Sequence, residues 1–459
     1  MKKYFLYTVF ILLFQAGFSQ ENDVLSFSEY LGYVKKYHPI VKQSNLVISE
    51  SEAKLLKARG SFDPKIEVDY DRKKFKNSTY YDKLNTAFKI PTWYGVELKG
   101  SYEQNSGEYL NPENTVPTDG LYNVGVSVSV ARNLLINERM ATLKRAKLFK
   151  NQAAADAKLL VNDILYKASM SYFSWLRAYQ EKEVYDAFVE NAALRLEGVK
   201  RSFEVGEKPA IDTTEARIAY NTRKLNLEKA QLKYIKTSLE LSNYLWINDV
   251  PVEIKNTLIP DTELKTTIDY ALQIDSIGID ESLENHPKLQ SLDYKYKSLE
   301  VDRRLKQNNL LPQVDLQYNF LSETPETINS FNTANYKAGV AVRFPLFLRK
   351  ERADLKLTKF KLQAVDFDKQ ATSLAINNKL NSAQEEIRSY ENQLTIADTI
   401  VSDYTVLLKG EERKFEIGES SLFLINSRES KLIESTLKVI ALENDLLQAK
   451  ATLFNVLGI

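Results

Sequence analysis

The chain has 459 residues, 62 basic against 61 acidic, for a formal net charge of +1. Such a balance gives no electrostatic footing for nucleic acid or for an acidic substrate. The absence of cysteine removes disulfides, thiolate metal sites, cysteine nucleophiles and a lipidated N-terminal cysteine together.

Residues 1–20 read as a secretory signal. Lys2 and Lys3 supply the basic end, Tyr4 to Phe14 an apolar core, and Ala16, Gly17 and Ser19 the small residues before a cut near Ser19 or Gln20. That apolar run is too short to span a bilayer as a helix, and no later window reaches eighteen apolar residues. Entry into a membrane would therefore require a closed β-barrel, because open strand edges are not tolerated in lipid.

Leu25 to Arg59 reads as helix interrupted at His38-Pro39 and ended by Gly60. A strand follows Phe62-Asp63-Pro64, with Ile66, Val68 and Tyr70 alternating against Glu67, Asp69 and Asp71. Two more alternating stretches, 84–90 and 96–102, flank Pro91 to Gly95, and turn residues punctuate 104–120. From Tyr122 to Val130 valines alternate with Asn, Gly and Ser, which predicts one apolar and one polar face.

From Ala131 no Gly or Pro occurs until Gly198, which predicts one helix of roughly 100 Å. Within it Val161, Leu165, Ala168, Tyr172, Trp175 and Tyr179 form a heptad seam. The helix runs to a turn at Arg201 to Glu207, and a second helix extends from Ala210 to about Trp246. Residues 248–279, with Pro251 and Pro260, read as a linker with short elements.

The second half repeats the first. His286-Pro287 lies 248 residues beyond His38-Pro39, and 312–318 overlays 64–70 at the same offset. The offset is 214 for 336–342 against 122–128, then 212 for 413–419 against 201–207 and for 455–457 against 243–245. The fall of 34 between first and last strands marks extra residues in the first half, which hold the stretches 84–90 and 96–102. Matched segments in order argue for duplication. The division is a first repeat over 21–247, with strands within 62–130 and a tip near 203–209. After the linker, a second repeat covers 280–459, with strands within 312–344 and a tip near 415–421.

Two shortages follow. Four to six strands per chain are too few to close a membrane barrel, which needs about eight. A helix of roughly 100 Å in a lone soluble chain would leave its seam wet. Cyclic association of several copies meets both demands.

The His-Pro helix, the Pro-led strand, the Gly-centred strand entering a long helix and the twice-occurring Phe-x-x-Gly turn resemble the TolC-like outer-membrane efflux proteins. The resemblance covers nearly the whole mature chain. It implies a mainly helical, internally duplicated fold: a long α-helical barrel plus a trimeric transmembrane β-barrel, usually with four strands per protomer. On that basis the extra pair is expected as an external hairpin, the alternative being two further barrel strands, six in all. It also implies a cofactor-free, non-enzymatic exit duct in the outer membrane that extends into the periplasm. Its partners would be two further copies, outer-membrane lipid, a periplasmic adaptor and an inner-membrane transporter.

Gly206 and Gly418 read as helix C-caps in αα-hairpins, and the resemblance makes these turns adaptor-docking tips. Phe203, Val205, Gly206 and Phe415, Ile417, Gly418 match that motif, followed by Leu422, Phe423 and Leu424, which are either core or an exposed patch. The family often narrows the tunnel with carboxylates after each turn. Asp212 and Glu215 stand at those places in the first repeat, but Leu424 and Ser427 in the second, which departs from a double ring and leaves Asp212 as either a single cation-favouring ring or a solvated charge on a helix face.

His38 and His286, the sole histidines, occupy equivalent repeat positions before proline and lack metal-ligand spacing, so a structural use is expected. No phosphate loop, Gly-x-Ser-x-Gly or His-Glu-x-x-His occurs. The competing reading is a periplasmic coiled-coil adaptor or envelope scaffold without a pore, which would not need the alternating strands.

Overall fold

The computed structural model describes residues 23–255, 257–272 and 283–458. The signal reading at 1–20, and the part of the linker at 273–279, lie outside them. In chain order the elements are β1 (Asp23–Leu25), α1 (Phe27–Tyr37), α2 (Pro39–Arg59), β2 (Lys65–Phe75), β3 (Ser78–Pro91), β4 (Val96–Ser106) and β5 (Leu121–Ala131). Then come α3 (Glu138–Glu204), α4 (Ala210–Ser242), β6 (Trp246–Ile247), β7 (Val250–Pro251), β8 (Leu258–Pro260) and α5 (Leu264–Ala271). The last are α6 (Pro287–Asn308), β9 (Gln313–Ser322), β10 (Tyr336–Arg343), α7 (Arg349–Glu416) and α8 (Leu422–Leu457). Among the described residues no helix is long and apolar enough to cross a membrane.

The two long helices have 67 and 68 residues, roughly 100 Å each. The first starts seven residues later than the Gly/Pro-free run. Ala131 and Asn133 take positive φ, and Asn137 caps the helix, its Oδ1 accepting from the Met140 amide at 2.9 Å. It also passes straight through Gly198, where one glycine costs only about 1 kcal/mol.

The contacts divide the chain into two units. One holds residues up to Ser44, Leu159–Glu284 and Ile376–Ile459. Its core is the heptad seam: Ala168, Tyr172 and Trp175 are fully buried against Phe27, Tyr30 and Val34 of α1. Phe27 meets Tyr172 edge-on at 5.2 Å, and Tyr172 meets Trp175 at 5.6 Å. Burying each such ring is worth on the order of 2–3 kcal/mol. The Tyr172 hydroxyl donates to the Leu25 carbonyl at 2.6 Å and accepts from the Asp261 amide at 3.0 Å. It thereby ties the seam to a two-stranded parallel sheet of β1 and β8. Strand β1 was missed by the sequence reading, since three residues carry no period to detect.

The other unit, Asn45–Lys158 and Asn285–Ala375, contains a six-stranded antiparallel sheet in the order β10-β9-β5-β4-β3-β2. This corrects the expectation of an external hairpin. Strands β3 and β4 lie inside the sheet, β3 pairing with β2 on one side and β4 on the other. The reason is register: β3 extends back to Ser78, beyond its predicted start at 84, and so pairs along the whole of β2.

Both histidines cap helices. His38 Nδ1 accepts from the Ile40 amide at 3.2 Å and His286 Nδ1 from the Lys288 amide at 3.1 Å, each with proline at the first helical position.

Candidate functional site

Residues directly opposed in an antiparallel ladder share a face, so the pairing registers assign the faces of the whole sheet. Across the ladder run Ile66 opposite Phe88, Ile90 opposite Leu98, Leu98 opposite Val126, Val128 opposite Leu316 and Leu316 opposite Val340. This face is apolar on all six strands. The other carries Glu67 opposite Ala87, Lys89 opposite Lys99, Ser101 opposite Asn123, Ser129 opposite Asp315 and Gly125 opposite Asn319.

A water-soluble protein would bury the first face and wet the second. Here the order is reversed. Ile66 is 73% exposed and Val340 71%, while Asn123 and Asn319 are 4% and 2%. Crowding on the polar side is what a sheet curled around that side produces. Gly125 shows how tight it is, since a Cβ there would lie 2.1 Å from Asn319 Oδ1 and 2.3 Å from the Tyr318 carbonyl oxygen.

Much of the polar face bonds to itself, although Asn85 Oδ1 and Asn319 Oδ1 are buried there without a donor. The Ser101 hydroxyl donates to Asn123 Oδ1 at 2.6 Å, the Ser129 hydroxyl to Asp315 Oδ1 at 2.6 Å, and Arg343 to Asp315 Oδ2 at 2.9 Å. Lys89 pairs with Glu67.

Aromatic rings bracket the apolar band. At one end Tyr102 lies 4.8 Å from Tyr122, and Tyr336, one pair further in, stacks at 5.5 Å on Tyr318, which stands opposite Val126. At the other Phe62 stacks on Trp93 at 5.5 Å. Five of the six strands have 10 to 14 residues, and β10 has 8. About 9–11 tilted residues cross a bilayer core. An apolar exterior with aromatic girdles and a polar interior is the surface of a membrane barrel.

The two predicted tips close alike. Gly206 and Gly418 have φ of 81° and 80°. The Gly206 amide donates to Phe203 and the Glu207 amide to Ser202 at 3.0 and 2.8 Å. Gly418 and Glu419 donate to Phe415 and Lys414 at 3.1 and 2.8 Å. Both are Schellman caps, which need a left-handed residue at the glycine position.

The tip side chains then divide. Phe203, Val205, Ile417 and Phe423 are exposed. Leu422 is buried with Leu196, Val199 and Ala216, and Phe415 packs partly against them. Leu422 is therefore the core member of the 422–424 run, and Phe423 is its outward one.

Asp212 is half-exposed in the first turn of α4. Glu215 accepts from Asn426 Nδ2 at 3.3 Å. It lines a cavity of about 350 Å³ with Tyr185, Arg223 and Asn426. Leu424 and Ser427 hold no charge at the equivalent places.

Behind the tips lies a cluster that the sequence reading did not single out. The Glu429 carboxylate on α8, 1% exposed, accepts from Arg195 of α3 at 2.7 Å and from Arg223 of α4. Arg195 reaches Glu412 of α7 at 3.3 Å as well. Burial lowers the Arg223 guanidinium below its ordinary value, Glu429 opposes that, and Arg195 adds to it. No local pattern announces this cluster, because its four members come from four helices.

An inside-out sheet joined in one chain to paired long helices is the architecture of the TolC-like fold. Residues 278–459 match the family model described as outer membrane efflux protein. Solved structures with the same fold include the Campylobacter jejuni CmeC outer membrane channel, at 14% identity and TM-score 0.66, covering 94% of this chain and 85% of that one. A membrane protein from Pseudomonas aeruginosa matches at 12% and 0.68, covering 94% and 92%. The open state of the Neisseria gonorrhoeae MtrE outer membrane channel matches at 10% and 0.65, covering 94% and 88%. Comparison with the curated proteins finds no match. The chain is thus TolC-like in fold, and its second half matches the outer membrane efflux protein model.

Proposed function

We propose that this chain is the outer-membrane exit duct of a tripartite export system. Three copies pool their sheets into one β-barrel, and their helices continue as a tunnel into the periplasm. Cargo delivered by an inner-membrane transporter passes through without chemistry, and a periplasmic adaptor docks at the Gly206 and Gly418 tips through exposed Phe203, Val205, Ile417 and Phe423. Asp212, with Glu215 behind it, narrows the inner end.

The observation that carries the reading is the reversed sheet. An apolar face exposed on every strand, opposite a crowded polar face, is stable in lipid and costly in water. A coiled-coil adaptor or scaffold without a pore would have no use for it.

The test is fractionation of the full chain. Cofractionation with outer membranes, with trimers that convert to monomers on heating in detergent, is expected. Photo-crosslinkers at Phe203 and Ile417 should capture an adaptor. Recovery of the processed chain as a stable monomer without detergent would refute the reading.

A further inference from the structure

We infer that each copy builds six strands of the membrane wall, so that a ring of three closes at eighteen strands through contacts between β2 of one copy and β10 of the next. This rests on the outer-membrane reading above and adds to it the size of the barrel and the identity of the joining edges.

Three observations carry it. First, the inserted pair keeps the facing of its neighbours: Phe88 on β3 and Leu98 on β4 are 45% and 47% exposed on the apolar face. Lys89 and Lys99 oppose each other on the polar face. A hairpin standing free in water outside the membrane has no reason to continue the lipid-facing band in register. Second, the insertion leaves β2 and β10 as the free edges, and every residue of both is exposed. On its polar face β2 carries three carboxylates, Glu67, Asp69 and Asp71, between Lys65 and Lys73, and β10 carries Lys337 and Arg343, so opposite charges are available on the two edges. The two strands run in opposite directions along the sheet, as adjoining copies require for an antiparallel join.

Third, Gly339 on β10 is the repeat counterpart of Gly125. A Cβ at Gly125 collides with the neighbouring strand, whereas one at Gly339 meets nothing within 4 Å among the described residues. A strand laid on that edge with the same curl gives Gly339 the reason that Gly125 already has. Because barrel diameter grows about linearly with strand number, eighteen strands make a wall about 1.5 times as wide as four strands per copy would.

Since the chain has no cysteine, single cysteines carry spin labels cleanly in the full-length protein reconstituted in phospholipid vesicles. Accessibility to lipid-dissolved oxygen and to a water-soluble nickel chelate is then read. Phe88→Cys and Leu98→Cys should match Val126→Cys and Val340→Cys in favouring oxygen, while Lys89→Cys and Lys99→Cys favour nickel. Nickel access at both faces of β3 and β4, with Val126 and Val340 still in lipid, would overturn the six-strand wall and leave the outer-membrane reading standing. Water access at Val126 and Val340 as well would end both. Cysteine pairs between 66–70 and 338–342 should give covalent dimers and trimers at one register, and their failure at every register would overturn the β2–β10 join.

Discussion

Replacing Glu429 with leucine should open the helices behind the tips by an amount that can be worked from the ion cluster. Glu429 is the single ion-pair partner that Arg223 has among the described residues, and Arg223 Nε and Nη1 have no hydrogen-bond acceptor there. Its side chain is 6% exposed, so Glu429→Leu strands a guanidinium out of water. Arg195 fares better, because Glu412 remains beside it at 3.3 Å. Removing one member of a buried pair costs about 3–5 kcal/mol. In hydrogen exchange that is roughly two to three and a half orders of magnitude faster opening over 195–223 and 412–432. The double variant Arg223→Leu/Glu429→Leu should recover most of the loss, because no orphan charge is left. A Glu429→Leu chain that exchanges like the parent, or a double variant no better than the single, would refute the orphan-charge account.

Gly206→Val and Gly418→Val should each cost about 1–2 kcal/mol at the tips through backbone strain alone, since a Cβ at either glycine meets nothing within 4 Å. Asparagine should be milder, and adaptor crosslinking from Phe203 and Ile417 reports the outcome. Trivalent cations should block single-channel current less in Asp212→Asn than in the parent, as one acidic ring predicts. Gly125→Val should prevent assembly, because its Cβ lies within 2.3 Å of backbone. Gly339→Val should leave the monomer's sheet intact but weaken the heat-sensitive trimer. Burial lowers the His38 value, opposed in part by a hydrogen bond with the Asn243 backbone. The folded value then lies below the unfolded one near 6.5, so stability is full above about pH 6.5 and falls as pH drops through the folded value. Melting of the parent and of His38→Asn at neutral and acid pH should show a smaller acid loss in the variant.

The features legible in the sequence were those written locally. Alternation at Tyr122 to Val130 and the two Phe-x-x-Gly turns state their own structure, because a period of two and a left-handed glycine need no partner to be recognised. The position of β3 and β4 was not legible. Whether a hairpin stands free or joins a sheet depends on which strand its outer edge meets, and that is a property of pairing rather than of pattern. Leu422 and Phe423 make the same point, since neighbours in an apolar run go to the core or to the surface according to the facing helix. Glu429 was invisible because a carboxylate on a long charged helix looks solvated until two arginines from other helices close over it.

The pair β3 and β4 also shows why a sheet of this kind grows by two strands at a time. β2 leads away from the helices that precede it, and β5 must lead back to α3, so a single extra strand would deliver the chain to the wrong end of the sheet. Two extra strands restore the direction. Placed between β2 and β5, they alter neither the β5–β9 junction that joins the repeats nor the two free edges. The edges proposed to meet another copy are thus the same with or without the insertion. Circumference is free to change while the copy-to-copy contact and the turns at Gly206 and Gly418 stay as they are. It follows that a chain lacking residues 76–109 keeps the β2 and β10 edges needed for association, and would have to close them around a narrower ring.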